Sequence, residues 1–269
     1  MSGLITLTTD FGLEDSYVGQ VKGAILAVDP GLTIVDLCHH VAPQDVRGGA
    51  YILETGYAAF PAGTIHVAVV DPGVGTERRM LAVQAGGHRF LAPDNGLVGR
   101  VLERATPFVA HAIQNRAFFG PRASATFAAR DIFGPVAAWI ARGVELERLG
   151  PAVTDLVGLP AERPRLELGR AVRVPVVAID RFGNVVLDVT VEALTALLGH
   201  PPDGRSFLHL VAEGGEASRF VRTYGDAVGR EPALLVNSAG YLEVAVASGR
   251  ADVALGVRVG MHPALRVGR

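Results

Sequence analysis

Cysteine is almost absent from this chain of 269 residues, and that scarcity limits the chemistry open to it. The single cysteine, Cys38, cannot form a disulfide within the chain, which fits a reducing cytoplasm. It precedes His39 and His40, so a metal site or a nucleophilic thiol is one interpretation. The other is a small apolar side chain closing a buried strand, and this is the interpretation we adopt.

Long hydrophobic runs and a strong net charge are also lacking. No stretch reaches the roughly 18 apolar residues of a membrane span. The opening MSGLITLTTD has neither the basic flank nor the apolar core of a signal peptide, so we expect a cytoplasmic protein. The formal net charge is −2 and the arginines are scattered, which argues against nucleic acid or an anionic membrane as a partner. A neutral or zwitterionic small molecule is the expected partner.

Apolar residues are plentiful: 49% of the chain is hydrophobic and 19% charged, enough for a packed core. In the first half, LITLTTD, LTIVDL and TIHVAVVD read as strands. Two segments with helical spacing separate them, DSYVGQVKGAILAVDP and DVRGGAYILETGYAAFP, and Asp15 or Ser16 can cap the first. This order predicts an α/β fold over residues 1–150, with a mostly parallel sheet wrapped by helices.

Three further segments complete the predicted N-terminal domain. LAVQAGGHRFLAP is expected to form a short hairpin and NGLVGRVLER a helix. DIFGPVAAWIARG predicts a helix that starts at Asp131 and ends at Gly143.

The second half of the sequence differs from the first in composition and in hydrophobic periodicity. Residues 151–166 are rich in proline and glycine without a clear period, so we interpret them as a linker. Short alternating runs follow it: RVPVVAID, VVLDVTV, FLHLVAE, ALLVNSAGYLEVAVASG and DVALGVRVG. They predict an antiparallel β-barrel domain over residues 167–269.

Polar residues follow the predicted parallel strands in TTDFG, DLCHH and VVDPGVGTERR. Because the carboxyl ends of parallel strands form one crevice, Asp10 and Asp71 are expected to lie near each other. Asp10 has the position of an acidic residue that binds a ribose diol, or it caps a turn before Gly12.

The loop VVDPGVGTERR resembles a phosphate-binding loop but lacks both the Lys-Ser/Thr pair and a third glycine. The alternative is a tight turn in which Asp71 and Arg78, seven residues apart, fold back and pair. An aspartate held by an arginine can orient a water molecule. The same pair can also serve only to hold the turn.

Three further polar segments are candidates for ligand binding. In TFAARDIFGPVAA, backbone N–H groups at the start of a helix can approach a ligand, or Asp131 simply caps that helix. In AIDRFGNVV and VNSAGYLEVA, asparagine amides suit a purine edge and aromatic rings offer a stacking face. Each of these turns, taken singly, is also consistent with an ordinary turn.

Together these segments resemble the S-adenosylmethionine (SAM) hydroxide adenosyltransferases, or SAM hydrolases, which are related to the fluorinating and chlorinating SAM enzymes. The matching stretches are TTDFG, DSYVGQVKGAI, VVDPGVGTERR, APDNGL, TFAARDIFGPVAA, AIDRFGNV and VNSAGYLEVA. They run in family order from residue 8 to residue 245. The resemblance implies hydrolysis of SAM to adenosine and L-methionine by water at C5′, with SAM as the substrate and no cofactor. No metal is expected either, since no cluster of His, Cys and carboxylate residues in the sequence has ligand spacing. It also implies a homotrimer with sites between one subunit's N-terminal domain and its neighbour's C-terminal domain.

The resemblance also assigns roles to particular residues. Asp71 and Arg78 are the expected catalytic pair, and Asp10 is expected to hold the ribose. Substrate binding is expected of residues in the other matching stretches and of one further tyrosine: Asp15, Asn95, Asp180, Phe182, Asn184, Tyr224, Asn237 and Ser238. Asp180 and Ser238 match positions near the methionine, whereas Phe182 and Tyr224 are expected to pack on the adenine.

One departure from the family pattern bears on catalysis. Ala128-Ala129 stands where these hydrolases usually have His-Gly. Acid–base help is typically worth ~10²–10⁴ in rate, although a neutral methionine leaving group needs no protonation. His39, His40 or His66 is a possible replacement.

Two other functions are alternatives to SAM hydrolysis. One is a SAM- or adenosine-binding protein that has lost turnover, and the other is a nucleotide-phosphate enzyme using the glycine loop. Ala239, where the halogenating relatives have arginine, is a smaller departure.

Overall fold

The structure is a computed structural model that describes residues 3–121, 124–158 and 163–268. The chain forms two compact units, residues 1–160 and 161–269. The division falls within the segment interpreted as a linker, of which residues 159–162 lie outside the described residues. Residues 151–153 of that segment belong to the N-terminal unit, and Val153 donates its backbone N–H to the carbonyl of Ala110 there.

The N-terminal unit contains a single sheet of six strands. They are β1 (Leu4–Thr9), β2 (Thr33–Cys38), β3 (Ile65–Val69), β4 (Met80–Ala85), β5 (His88–Pro93) and β6 (Phe108–Ala112). Their order is β2-β1-β3-β5-β4-β6, and only β4 runs antiparallel to its neighbours. The predicted mostly parallel sheet is therefore confirmed, with β6 as an additional strand that the sequence analysis missed.

Helices cover both faces of this sheet, which explains why β3 is buried along its whole length. They are α1 (Tyr17–Val28), α2 (Val46–Gly56), α3 (Gly99–Arg104) and α4 (Gly134–Ala141). Helices α1 and α4 share a core with one face, and α2 and α3 with the other. In α1 the buried residues are Val18, Val21 and Ile25, at the spacing of one helical face.

The helix boundaries differ slightly from the predicted ones. Ser16 occupies the N-cap position of α1, but its hydroxyl accepts a hydrogen bond from Gln20 Nε2 at 2.8 Å and makes no capping bond. A π-helical turn, Ala129–Phe133, leads directly into α4, so the helical segment begins two residues before the predicted Asp131. Gly143 has a φ of 96° just beyond α4, the left-handed conformation expected of a terminating glycine.

The C-terminal unit is built from two sheets. Its strands are β7 (Ala171–Arg173), β8 (Val176–Ile179), β9 (Val185–Thr190), β10 (Phe207–Val211), β11 (Glu216–Ala217), β12 (Arg219–Phe220), β13 (Ala233–Val236), β14 (Tyr241–Ala245) and β15 (Ala264–Gly268). One sheet has the order β11-β10-β15-β7 and the other β12-β13-β14-β9-β8. All pairs are antiparallel except β12 with β13. Leucines from both sheets share one core, including Leu187, Leu210, Leu242 and Leu265.

The prediction of a strand in DVALGVRVG was wrong. Residues Ala251–Leu255 form a short helix, α6, after a preceding helix α5 (Val191–Leu198) that the sequence analysis missed. In α6 the buried side chains are Ala251 and Leu255, four residues apart, while Val253 is 72% exposed. Gly256, with a φ of 61°, ends the helix. A run this short satisfies both periods, so tertiary contacts decide between them.

Among the described residues, no helix is both long enough and apolar enough to cross a membrane.

Candidate active site

A cavity of about 590 Å³ lies at the carboxyl end of the parallel strands in the N-terminal unit. Asp10 follows β1 and Asp71 follows the neighbouring β3, and both line this cavity. The rest of the lining comes from the start of α1, from the loop after β2, and from the segment that enters α4. The volume lies in the range of small-molecule sites.

Asp71 and Arg78 form the ion pair expected from their spacing. Arg78 Nε lies 2.7 Å from both carboxylate oxygens of Asp71, and Arg78 Nη2 also contacts Oδ2. The side chains are only 5% and 12% exposed, for Asp71 and Arg78 respectively. Such a buried pair fixes the orientation of the carboxylate much more firmly than a surface pair does.

The glycine loop between these two residues is a compact turn. Val74 and Thr76 donate their backbone N–H groups to Asp71 and Gly73, at 3.2 and 3.1 Å. Gly75 has a φ of 83°, and a Cβ there would lie 3.1 Å from the carbonyl oxygen of Ala125. The glycine is therefore needed for a left-handed turn that packs against another backbone segment.

Asp10 is held at the edge of the same cavity by a backbone group. Its Oδ2 accepts a hydrogen bond from the N–H of Gln44 at 2.8 Å. Gln44 has a φ of 65°, which is uncommon for a residue with a side chain. The other described non-glycine residue with positive φ, Ser248, lines the cavity of the C-terminal unit, and such strain is concentrated at functional sites.

The position of the missing family histidine lies in the cavity wall. Ala128 lines the cavity and is 7% exposed. None of the three candidate histidines replaces it, because the described residues that line the cavity include no histidine.

Those three histidines have other surroundings. His39 is buried, with Nδ1 2.8 Å from Thr9 Oγ1 and Nε2 3.0 Å from Asp36 Oδ1. His66 lies inside the sheet between Thr6 and His88, where burial lowers its pKa to about 3. His40 is exposed.

Aromatic rings form part of the cavity wall. The rings of Phe11, Tyr17 and Phe127 contact one another, with centroids 5.3 to 6.0 Å apart. The guanidinium of Arg130 lies 4.8 Å from the centroid of Phe127. The sequence analysis missed this group because the three rings come from separate segments.

Arg130 and Asp131 pair with each other in the π-helical turn that leads into α4. Arg130 donates to both carboxylate oxygens of Asp131 at 2.6 and 2.9 Å, and to Gln20 Oε1 at 2.9 Å. The hydrogen bonds to Asp131 and the charge of that carboxylate raise the pKa of Arg130. Asp131 also accepts the N–H of Ser124, so it holds the preceding segment in place. It lies inside the turn Ala129–Phe133, whose N-cap residue is Ala128.

Two residues assigned to substrate binding stand outside this cavity lining. Asp15 is exposed in the turn before α1. Asn95 donates to the carbonyl of Val70 at 2.9 Å and accepts the N–H of Leu97 at 3.2 Å. It therefore connects the segment after β5 to the segment after β3.

The C-terminal unit has its own cavity of about 570 Å³, lined by Asp180, Phe182, Asn184 and Tyr224. Asp180 organises the turn: its Oδ1 accepts the N–H groups of Phe182 and Asn184, and its Oδ2 accepts Asn184 Nδ2 at 2.9 Å. Gly183, with a φ of 88°, permits this turn. Asn184 is buried, whereas the rings of Phe182 and Tyr224 are 76% and 54% exposed.

Asn237 and Ser238 lie in the neighbouring turn between β13 and β14, outside the lining of this cavity. Asn237 Oδ1 accepts the backbone N–H groups of Ala239 and Tyr241, both at 3.0 Å. Ser238 is exposed at the tip of the turn. One residue that the sequence analysis overlooked, Glu243, bonds to both Tyr224 and Asn237. The sequence signal that could have identified Glu243 is its position as the single acidic residue in the apolar run YLEVAVA.

The fold and the two cavities define a class of protein: a two-domain binder of a small organic molecule, with carboxylates at strand ends and aromatic rings in turns. No three His, Cys, Asp or Glu side chains within the described ranges are grouped so as to hold a metal ion.

Comparison with known proteins identifies the family. The profile of the SAM hydroxide adenosyltransferase N-terminal domain matches residues 5–150, and that of the C-terminal domain matches residues 174–263. The chain therefore belongs to the SAM hydroxide adenosyltransferase family, as the resemblance predicted.

Individual relatives agree with this assignment. An (R)-S-adenosyl-L-methionine hydrolase from Salinispora tropica is 40% identical over 262 residues, which cover 95% of each chain. A fluorinase from an Actinoplanes species is more distant, at 28% identity over 273 residues and 90% of each chain. The crystal structure of a conserved protein from Thermotoga maritima superimposes with a TM-score of 0.88 at 33% identity, covering 97% of this chain and 99% of that one.

Proposed function

We propose that this protein hydrolyses SAM to adenosine and L-methionine, with Asp71 and Arg78 as the catalytic pair. The observation that carries the proposal is the juxtaposition of two carboxylates, Asp10 and Asp71, in one cavity at the ends of adjacent strands. Asp10 binds the ribose diol, and Asp71 holds the water. Because the relatives at 40% identity are named for the (R)-sulfonium epimer, we propose that epimer as the substrate.

The water is activated by position. Arg78 fixes the carboxylate of Asp71, which accepts a hydrogen bond from the water and directs an oxygen lone pair at C5′. The new C5′–O bond forms as the C5′–S bond breaks, and the bond pair moves to sulfur. Methionine leaves as a neutral thioether, and the water gives up one proton to the carboxylate of Asp71, which releases it to solvent. Holding the reactants in line supplies a large part of the acceleration.

This reaction does not depend on an imidazole. The leaving group accepts an electron pair and no proton, so general-acid help is unnecessary. The water's proton is lost from an oxygen that becomes strongly acidic as it bonds to carbon. The reaction requires an oriented water molecule, and Asp71 provides that orientation. The replacement of the family histidine by Ala128 therefore does not remove the central requirement.

The cavity chemistry favours a sulfonium substrate over a phosphate. The carboxylate of Asp10, which accepts a neutral backbone N–H, and three aromatic rings attract a cation, since ring faces carry negative electrostatic potential. Arg130, the cation in the lining, is already bonded to Asp131. The glycine loop packs on Ala125, with no lysine to meet a phosphate.

We extend the proposal to the C-terminal cavity and to assembly. Asn184, Phe182 and Tyr224 bind the adenine, and Asp180 and Ser238 bind the methionine, with Asn237 supporting their turn. Each cavity alone offers only part of the groups that SAM requires, which favours the homotrimer with sites at subunit interfaces that the resemblance implies. We also propose that the enzyme acts in the cytoplasm without a cofactor.

The test uses separated (R)- and (S)-SAM in water enriched with oxygen-18, with chromatography and mass spectrometry of the products. We expect adenosine and methionine from the (R)-epimer, with the label on the 5′-oxygen of adenosine. Adenosine binding in calorimetry without any product from either epimer would instead support the binding-protein alternative. Binding of ATP in the absence of adenosine binding would support the phosphate alternative.

A further inference from the structure

Glu243 is a carboxylate buried in the middle strand of a sheet. It lies on β14, the third of five strands, opposite Leu235 on one side and Val186 on the other. It is only 3% exposed. Removing a charged group from water is costly, so such a residue needs good hydrogen bonds to be tolerated.

Both oxygens of this carboxylate accept hydrogen bonds from residues of the candidate site. The hydroxyl of Tyr224 donates to Oε1 at 2.7 Å, and Asn237 Nδ2 donates to Oε2 at 3.1 Å. Burial raises the pKa of Glu243 and the charge of Asp180 acts in the same direction, whereas the two hydrogen bonds lower it. The bond from Tyr224 has the short length of a charge-assisted contact.

The direction of the Glu243 side chain follows from strand alternation. Leu242 and Val244 enter the large core between the two sheets, so Glu243 and Ala245 point to the opposite face. Ala245 and Tyr224 both line the C-terminal cavity. Glu243 therefore lies on the same face of the sheet as this cavity, where it binds the hydroxyl of Tyr224, a residue of the cavity lining.

The second partner extends this support to another turn. Asn237 uses its Oδ1 to hold the backbone N–H groups of Ala239 and Tyr241, and its Nδ2 to contact Glu243. The turn shaped in this way presents Ser238. One carboxylate thus connects an aromatic ring with a polar turn that lies elsewhere in the sequence.

We propose that Glu243 is a positioning residue for substrate binding, which fixes the Tyr224 ring and the turn carrying Ser238 in their binding geometry. The inference rests on the proposed function, because it takes this cavity as part of the SAM site. The Tyr224 ring is 54% exposed, so the bond to Glu243 restrains a side chain that neighbouring contacts cover only in part. A ring already held in place loses less conformational entropy when the ligand binds.

The experiment is a double-mutant cycle with Tyr224→Phe, Glu243→Gln and the two combined. Tyr224→Phe keeps the ring and removes only the donor. Glu243→Gln keeps the shape but replaces one acceptor by a donor. We expect each single change to raise the KM for SAM and the Kd for adenosine about tenfold, with kcat within about twofold. The combined variant should be no worse than about the more affected single one, since the two groups act through one bond.

Glu216→Gln is the matched control, because Glu216 is a 66% exposed acid of the same unit that pairs with His209. It should leave KM unchanged. The proposal would be overturned if Tyr224→Phe left both the KM for SAM and the Kd for adenosine unchanged. Additive effects of the two substitutions, or a fall in kcat at constant KM, would overturn it as well. If Glu243→Gln does not fold, Tyr224→Phe alone decides. A wild-type protein that neither binds adenosine nor hydrolyses SAM would contradict the proposed function instead.

Discussion

The two cavities of this protein obtain their polar groups in different ways. In the N-terminal unit, Asp10 and Asp71 follow directly on parallel strands, and each is held by a fixed donor. In the C-terminal unit, Asp180 and Asn184 lie in a turn, and the exposed rings of Phe182 and Tyr224 stand beside it. A rigid sheet edge suits the placement of a reacting water, whereas turns with exposed rings suit recognition of a flat base. The comparison predicts that changes in the first cavity affect turnover, and changes in the second affect affinity.

The largest effect is expected from Asp71→Asn. The amide keeps the shape of the carboxylate but weakens its hold on the water and its pairing with Arg78. We expect kcat to fall by about 10²-fold or more, while the Kd for adenosine stays within about threefold.

Asp94→Asn is the control for that change, because Asp94 is also a buried carboxylate paired with an arginine, Arg79, yet lies outside the cavity. It should lower the melting temperature and leave kcat unchanged. Equal losses of turnover and adenosine affinity in Asp71→Asn would mean that Asp71 only holds the loop.

The two units should also respond oppositely to mild acid. His66 has a folded-state pKa of about 3 against an ordinary value of 6.5, so below pH 6.5 the unfolded chain binds a proton that the folded state does not, and the free energy of unfolding falls as the pH falls. At pH 5 the loss amounts to about 2 kcal/mol. Glu243 has a raised pKa, so the folded state takes up a proton at a higher pH than the unfolded chain does. Its contribution to the free energy of unfolding therefore increases as the pH falls toward 4.5.

Hydrogen exchange at pH 7 and pH 5, corrected for the intrinsic rates, measures this difference. Amides of β3 should lose protection at pH 5, while those of β14 should not. His66→Gln removes the titrating ring and should abolish the change in β3. Equal loss of protection in both units would contradict the assignment.

A smaller effect is expected from Phe182→Ala in the C-terminal cavity. Stacking on a base is worth about 1–3 kcal/mol, so the Kd for adenosine should rise about tenfold in calorimetry, with little change in kcat. The ring is 76% exposed, and the melting temperature should therefore stay constant. Val253→Ala, which removes another exposed apolar side chain of the same unit, is the control. An unchanged Kd would remove Phe182 from the site.

The smallest effect is expected from Ala128→His, which restores the usual family residue. Because Asp71 already orients the water, kcat should change by less than about tenfold. Single-turnover kinetics would separate the chemical step from product release. An increase of two orders of magnitude would mean that the missing imidazole limits this enzyme.

The predictions from sequence that the structure confirms are those for which one physical rule allows only one arrangement of the chain. Apolar strands alternating with helical segments dictate a parallel sheet, and the ends of its neighbouring strands bring Asp10 and Asp71 together. It was wrong for DVALGVRVG, because five residues cannot distinguish a strand period from a helix period. It missed the contacts of Glu243, since the partners of a buried acid come from distant segments.

The sequence by itself determined the α/β class of the first half and the β-rich second half, because these follow from local periodicity. It offered the pairing of Asp71 with Arg78 as one of two interpretations of the glycine loop, and the structure contains that pair. Only the tertiary structure decided that Phe11, Tyr17 and Phe127 meet, that Gln44 holds Asp10, and that His39 and His66 are engaged elsewhere. The physical reason is that such contacts join segments far apart in the chain. Their geometry depends on how the whole core packs, and no local pattern records it.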